Sequence, residues 1–274
     1  MRLQVNGREA YAYTGGKSFD AELPCVVFIH GACHDHSAFT LLARWFAHHG
    51  FGVLAVDLPG HMRSAGPLLP DVESMADWVL ALMDAAGVQR AALVGHSMGS
   101  LIALQAAARA PERATALVLL GPAVPMTVSD ALLATARDDP LKAMRMVNVW
   151  SISTTASKPG FPSPGNWLHG GGLALPRRVQ AAGGGANVFL HGFEVCHRYR
   201  GGLEAAARVR CPATVVIGQF DQMTTPKAAR DVAAALKARV VTVASGHHLM
   251  AEQPDAVLQA VRDALVAPEP RVVV

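Results

Sequence analysis

Short continuous runs of apolar residues alternate along the chain with stretches that have the periodicity of amphipathic helices. An apolar run without polar alternation is typical of a strand that is buried on both faces of a parallel sheet. Four such runs lie at residues 24–30, 51–57, 91–94 and 114–120. Helical periodicity appears between them at residues 37–49, 72–86 and 98–110. This alternation predicts a doubly wound α/β sheet.

The pattern returns later in the chain, with strands predicted at 213–218 and 240–244 and helices at 226–238 and 254–266. Near the start, Asn6-Gly7 lies between two short strands within residues 1–13. This dipeptide is typical of the type I′ turn of an antiparallel hairpin. Together these elements predict an eight-stranded, mostly parallel sheet with flanking helices. Residues 268–274 are expected to be a loosely held end.

The alternation is interrupted over residues 125–205. Helical periodicity is present at 131–148 and 186–199, around a middle rich in glycine and proline that we interpret as a flexible loop. The predicted organisation is therefore a core made of residues 1–124 and 206–274, with an inserted helical cap at 125–205.

Composition narrows the class of protein. The 274 residues are 51% hydrophobic and 16% charged, which argues against disorder. The net charge of +3 is small, and the lysines and arginines are scattered along the chain, so we expect no nucleic-acid partner. The four cysteines form no CxxC pair, which favours a reducing, cytoplasmic location. We expect no secretory signal, because residues 1–13 contain no apolar h-region. We expect no membrane partner, because no apolar run approaches about 18 residues. A small-molecule substrate is the expected partner, and a homodimer is left open.

The most informative segment is Gly95-His96-Ser97-Met98-Gly99, which has the pattern GxSxG. The pattern alone is weak evidence, but here an apolar strand precedes it and a helical stretch follows it, which is the context that a nucleophile elbow needs. Small residues allow the tight turn, and the N-terminus of the next helix favours developing negative charge. The alternative is an ordinary glycine-rich turn with a structural serine.

A serine nucleophile needs a base and an acid that orients the base. Asp221 comes just after the strand at 213–218, and His247 comes just after the last predicted strand. Carboxyl ends of parallel strands converge on one edge of a sheet, so Ser97, Asp221 and His247 are expected to meet there. His248 competes for the role of base, but the preceding Gly246 allows a close approach and favours His247.

The strand at 24–30 ends in His30-Gly31-Ala32-Cys33. Glycine at this point lets the backbone turn and direct N–H groups into the site. The N–H groups of Ala32 and Met98 are the candidate donors to an oxyanion. His30 is expected to support this loop.

These segments resemble the α/β-hydrolase superfamily. The matching pieces are His30-Gly31, Asp57-Leu-Pro-Gly-His-Met-Arg-Ser64, Gly95-His-Ser-Met-Gly99, Gly218-Gln-Phe-Asp221 and Gly246-His247 followed by Glu252-Gln-Pro254. The resemblance implies Ser97 as the nucleophile, His247 as the general base, Asp221 as its orienting acid, and the backbone N–H groups of Ala32 and Met98 as the oxyanion hole. Met62 departs from the glycine that such proteins often have in that turn, which affects the shape of the loop.

Other chemical signals are weaker. We predict that the substrate pocket includes six side chains: His30, Cys33, His96, Trp150, Trp167 and His248. We predict no metal site at His34-Asp35-His36, because further ligands at metal-site spacing are missing. Cys33 has no base placed for it, so we do not expect it to be a nucleophile. No cofactor is expected.

The predicted function is hydrolysis of a small, moderately hydrophobic carboxylic ester through an acyl-enzyme. A C–C bond hydrolase, a lactonase, a thioesterase or a perhydrolase that uses the same three side chains stays open, because fold and triad do not fix the substrate. The alternative from another class is a non-catalytic receptor that binds a ligand on the same scaffold.

Overall fold

A computed structural model describes residues 1–266 and contains one eight-stranded sheet. The strands are β1 (Arg2–Val5), β2 (Arg8–Tyr13), β3 (Cys25–Ile29), β4 (Gly52–Asp57), β5 (Ala91–His96), β6 (Ala114–Leu120), β7 (Ala213–Gly218) and β8 (Arg239–Val243). Their spatial order is β1-β2-β4-β3-β5-β6-β7-β8. Strand β2 is antiparallel to both of its neighbours, and all other pairs are parallel. The predicted fold class is therefore confirmed.

The described residues also contain eleven α-helices. These are α1 (Thr40–His48), α2 (Val72–Ala85), α3 (Met98–Arg109), α4 (Asp130–Asp138), α5 (Pro140–Ser151), α6 (Leu168–Ala182), α7 (Val188–Arg198), α8 (Gly202–Arg208), α9 (Arg230–Ala235), α10 (Leu249–Glu252) and α11 (Pro254–Leu265). A 3₁₀ turn at His36–Phe39 precedes α1. Among residues 1–266, none of these helices is long and apolar enough to cross a bilayer.

The core has two layers because alternate residues of each buried strand point to opposite faces of the sheet. In β3, Val27 and Ile29 pack with α2, α3, α8 and α9, whereas Val26 and Phe28 pack with α1 and α11. The hairpin at the start has the predicted turn, since Asn6 and Gly7 both have positive φ, at 50° and 76°. Residues 267–274, which include all of the predicted loose end, lie outside the described residues.

Five helices, α4–α8, connect β6 to β7. Helices α4–α7 have a hydrophobic cluster of their own, which includes Leu132, Met144, Val179 and Phe189. Helix α8 packs instead into the main core through Ala205 and Ala206, and it crosses the predicted boundary at residue 205. We call residues 125–201, which precede α8, the helical insertion.

Two predictions within the insertion were wrong. The single helix predicted at 131–148 is two helices, because Asp139 ends α4 and caps α5 while Pro140 occupies the first position of α5. The flexible loop predicted around Gly170–Gly172 lies inside α6. A Cβ on Gly170 would contact the Trp167 ring, and one on Gly172 would overlap Asn148, so these glycines permit close packing.

Candidate active site

Ser97 occupies a sharp turn between β5 and α3. Its backbone has φ 53° and ψ −119°, a strained conformation for any residue with a side chain. The turn is compact because two glycines flank it: a Cβ on Gly95 would overlap the Gly99 carbonyl, and a Cβ on Gly99 would overlap the Ile29 carbonyl. The sequence pattern therefore has a steric cause, and the turn holds the Ser97 side chain at the carboxyl edge of the sheet.

Asp221 and His247 meet at the same edge. The Nδ1–H of His247 donates to Asp221 Oδ2 at 2.8 Å, and both side chains are buried. Burial by itself raises the pKa of Asp221, but the neighbouring His247 and hydrogen bonds from His247 and Thr224 outweigh it, so the pKa is lowered overall. Asp221 is therefore held as a carboxylate, which fixes the His247 tautomer with Nε2 as the free nitrogen.

Ser97 and His247 line one cavity of about 180 Å³. Among the described residues, the Ser97 hydroxyl makes no hydrogen bond to the imidazole. Such contacts are often long in the absence of substrate and tighten when substrate binds. The structure thus brings the three predicted side chains to one site, with the Asp221–His247 pair already formed.

The backbone of the loop that carries His247 is held by hydrogen bonds with a side chain and with the insertion. His96 Nε2–H donates to the His247 carbonyl at 2.9 Å. The N–H groups of His247 and His248 donate to the Ser151 carbonyl at 2.6 and 3.2 Å. Because Ser151 ends helix α5, the helical insertion directly supports the position of the predicted base.

Glu252 provides the second link between this loop and the insertion. Its buried carboxylate accepts the Gly246 N–H at 3.1 Å and the Ser153 N–H at 3.3 Å. Burial raises the pKa of Glu252, although these hydrogen bonds counteract it. A charged acceptor shared by two buried N–H groups is among the stronger hydrogen-bond arrangements in proteins.

The predicted oxyanion donors are also at the site. Met98 is the first residue of α3, so its N–H has no acceptor within the helix. The Ala32 N–H makes no hydrogen bond to the protein within residues 1–266. Gly31 lies close to the nucleophile, since a Cβ there would be 3.2 Å from Ser97 Cβ. From the insertion, Gly192 approaches Ala32 so closely that a Cβ on Gly192 would be 2.9 Å from Ala32 Cβ.

The six predicted pocket residues separate into three groups. His96, Trp150 and His248 line the cavity with Ser97, whereas Trp167 lines a neighbouring groove. The prediction was wrong for His30 and Cys33, which line neither.

His30 and Cys33 are fully buried because their loop turns inward. His30 Nδ1–H donates to the Gly31 carbonyl at 2.9 Å, and its Nε2 accepts the Leu58 N–H at 3.1 Å, so it supports the loop as expected. The Cys33 thiol contacts the Pro176 carbonyl at 3.4 Å, and burial raises its pKa to about 12. A thiol with this pKa is not a nucleophile at neutral pH.

Two residues of the site were missed by sequence reasoning. Thr224 Oγ1 donates to Asp221 Oδ2 at 2.8 Å, and it also lies 3.0 Å from the Gly121 carbonyl and 3.0 Å from His247 Nδ1. A weak signal exists in the sequence, since Asp221 Oδ1 accepts the Thr224 N–H in an Asx-type turn. Glu252 was noted only as part of a motif.

One group of three potential metal ligands exists within residues 1–266. The ligand atoms of Asp35, His36 and Asp57 lie within 4.8 Å of one another. Asp57 Oδ1 accepts the N–H and the Nδ1–H of His36, and Asp35 accepts hydrogen bonds from Ser37 and Arg178. These oxygens therefore already brace the end of β4, the start of α1 and the insertion.

Comparison with known proteins supports the fold. The family model of the alpha/beta hydrolase fold matches residues 24–149. The crystal structure of the enol-lactonase from Burkholderia xenovorans LB400 superposes with a TM-score of 0.80 at 24% sequence identity, covering 97% of this chain and 99% of that one. The chain therefore has the α/β-hydrolase fold. At this identity, the lactonase supports the fold of this chain and says nothing of its substrate.

Two curated relatives of this α/β-hydrolase-fold protein match shorter segments. A putative non-heme haloperoxidase of Mycobacterium phage D29 is 38% identical over 96 residues, which are 35% of this chain and 34% of that protein. A putative esterase/lipase of Haemophilus influenzae (strain ATCC 51907 / DSM 11121 / KW20 / Rd) is 31% identical over 97 residues, 35% of this chain and 33% of that protein. The chain thus spans about a third of the length of these relatives.

Proposed function

We propose that this protein hydrolyses small, uncharged, moderately hydrophobic carboxylic esters through an acyl-enzyme on Ser97. One observation carries the proposal: Ser97 and His247 line the same cavity. Ser97 lies on its strained turn, and the His247 Nδ1–H donates to Asp221. The relative named as a putative esterase/lipase supports the same class of chemistry.

In the proposed reaction, Ser97 Oγ attacks the ester carbonyl while His247 Nε2 takes the hydroxyl proton. The carbonyl oxygen becomes an oxyanion that accepts hydrogen bonds from the Ala32 and Met98 N–H groups. The bond to the alcohol oxygen then breaks, and His247 returns the proton to that oxygen. Water repeats the sequence on the acyl-enzyme and releases the acid. Asp221 stabilises the imidazolium that forms in each step.

The lining of the cavity favours a neutral substrate. Among the described residues, no Asp, Glu, Lys or Arg lines it, and its apolar wall is made by Met126, Leu132, Val147, Trp150 and Phe193. A carboxylate enclosed there without a cationic partner carries a large desolvation cost. This argues for an ester over a dienoate of the C–C cleavage type, because a dienoate brings a carboxylate of its own.

The proposal is tested with purified protein and the Ser97→Ala variant on a panel of p-nitrophenyl esters, lactones, thioesters and a dienoate. We expect the highest kcat/KM on neutral esters with acyl chains longer than acetyl, and a loss on the order of 10⁴–10⁶-fold in Ser97→Ala. Turnover of the dienoate with little ester hydrolysis would contradict the proposal. So would ester hydrolysis that survives in Ser97→Ala.

A further inference from the structure

A larger apolar groove adjoins the cavity that contains Ser97. Its volume is about 560 Å³, against about 180 Å³ for the cavity itself. It lies between α1, α6 and the α10–α11 region, and its apolar wall includes Leu41, Trp45, Trp167, Leu175, Met250 and Leu258. This volume is within the range of about 300–1,000 Å³ that is usual for pockets that hold organic ligands.

Three histidines line both the groove and the cavity. These are His34, His96 and His248, with ring centroids 6.0 Å apart for His34–His96 and 5.9 Å apart for His34–His248. Burial and, to a lesser extent, the nearby His247 lower the pKa of His96 to about 3 and that of His248 to about 4. At neutral pH these two shared side chains are therefore polar but uncharged, so a neutral substrate beside them buries no unpaired charge.

We propose that the groove binds the apolar alcohol arm of the ester whose acyl arm occupies the Ser97 cavity. This inference rests on the proposed function. In an acyl-enzyme the acyl group stays bonded to Ser97, which lines the smaller cavity together with Ala32 and does not line the groove. The groove is thus placed for the part of the substrate that leaves.

The mouth and the charges of the groove agree with this assignment. Leu41 and Trp167 are 65% and 58% exposed, so the groove opens to solvent and gives a released alcohol a way out. Asp255 is the one charged residue among the described lining, and its side chain is exposed at the surface. An anionic arm has no cationic partner there, so the expected occupant is a neutral alkyl or aryl alcohol group.

A filling substitution at Gly171 tests the assignment. Gly171 lines the groove from α6, and a Cβ built on it contacts nothing within 4 Å, so a larger side chain can enter the groove without a clash. Ala174 is the matched control, because it is exposed on the same helix and lines neither the groove nor the cavity. The variants are Gly171→Phe, Gly171→Leu and Ala174→Phe.

The assay compares two ester series, one with a constant acetyl group and alcohols from ethyl to octyl, the other with constant ethanol and acyl groups of the same lengths. Each methylene buried in an apolar site raises kcat/KM by about fourfold. We expect this rise in the alcohol series of the parent protein. Gly171→Phe should lower kcat/KM for octyl acetate at least tenfold and change ethyl acetate less than twofold, Gly171→Leu should be intermediate, and Ala174→Phe should match the parent.

The possible results distinguish a failure of the alcohol-site assignment from a failure of the proposed ester hydrolysis. If Gly171→Phe affects only the acyl series, or if Ala174→Phe has the same effect, the groove does not hold the alcohol arm. If no ester is hydrolysed in a Ser97-dependent manner, the proposed function fails, and calorimetric titration of the Ser97→Ala protein with 1-octanol then tests the groove by itself. If the Ser97→Ala protein binds 1-octanol and the added Gly171→Phe substitution abolishes this binding, the alcohol site is supported. If 1-octanol does not bind, or binds equally well after Gly171→Phe, the alcohol site is overturned.

Discussion

Replacing Thr224 with valine removes a hydroxyl that contacts both partners of the Asp221–His247 pair. Thr224 is only 2% exposed, and its Oγ1 lies 2.8 Å from Asp221 Oδ2, 3.0 Å from His247 Nδ1 and 3.0 Å from the Gly121 carbonyl. Valine has nearly the same shape and lacks the hydroxyl. A hydrogen bond to a charged group contributes about 1.5–3 kcal/mol, which corresponds to a loss of about 10- to 150-fold in kcat if the bond acts in the transition state.

The assay is kcat and KM on a neutral p-nitrophenyl ester, with the free energy of unfolding from urea denaturation measured for each variant. Thr224→Ser keeps the hydroxyl and should recover most of the activity. Thr225→Val changes the adjacent, exposed threonine and is the matched control. If Thr224→Val retains kcat within twofold of the parent, or if Thr225→Val loses as much, the hydroxyl does not support the pair and the reasoning is wrong.

Three further predictions concern the support of the site. Glu252→Gln leaves one amide N–H₂ facing the buried Gly246 N–H. The free energy of unfolding should therefore fall by about 1–3 kcal/mol, and kcat should fall with it. A variant with parental stability in urea denaturation would contradict this. Gly99→Ala places a Cβ against the Ile29 carbonyl of β3 and should lower the free energy of unfolding by about 3 kcal/mol in urea denaturation. A decrease of less than about 0.5 kcal/mol would show that the turn has more room than the structure gives it. Burial lowers the pKa of His96 from 6.5 to about 3, so the unfolded chain binds a proton that the folded chain does not, and stability falls as the pH decreases through this window. His96→Gln should flatten the slope between pH 6 and pH 4 by about 1.4 kcal/mol per pH unit, with the exposed His48→Gln as control; an unchanged slope would contradict it.

The sequence was sufficient to predict the sheet and to bring Ser97, Asp221 and His247 to one edge. Apolar runs identify buried strands, and parallel strands place their carboxyl ends together whatever their separation along the chain. The positions of these three residues therefore follow from local patterns and one topological rule.

Thr224 and Glu252 were harder to find because their partners are remote. Thr224 bonds to the Gly121 carbonyl, 103 residues away, and Glu252 bonds to the Ser153 N–H, 99 residues away. Backbone acceptors and donors leave no trace in the side-chain pattern. The same applies to Cys33, whose burial comes from packing against the insertion.

The insertion was the least predictable segment for a similar reason. Glycine triplets indicate loops when judged locally. Here Gly170 and Gly172 are in a helix because they must pass close to Trp167 and Asn148, and that contact exists only in the folded protein. The division between the Ser97 cavity and the groove depends on the same packing.

We propose that His247 activates the Ser97 hydroxyl as a nucleophile. The sharpest test is mass spectrometry of the protein after treatment with a fluorophosphonate. We predict a single adduct on the peptide that contains Ser97, absent in Ser97→Ala and formed at least 10³-fold more slowly in His247→Asn. An intact protein that takes up no adduct, or one whose adduct forms at the parental rate in His247→Asn, would contradict the claim.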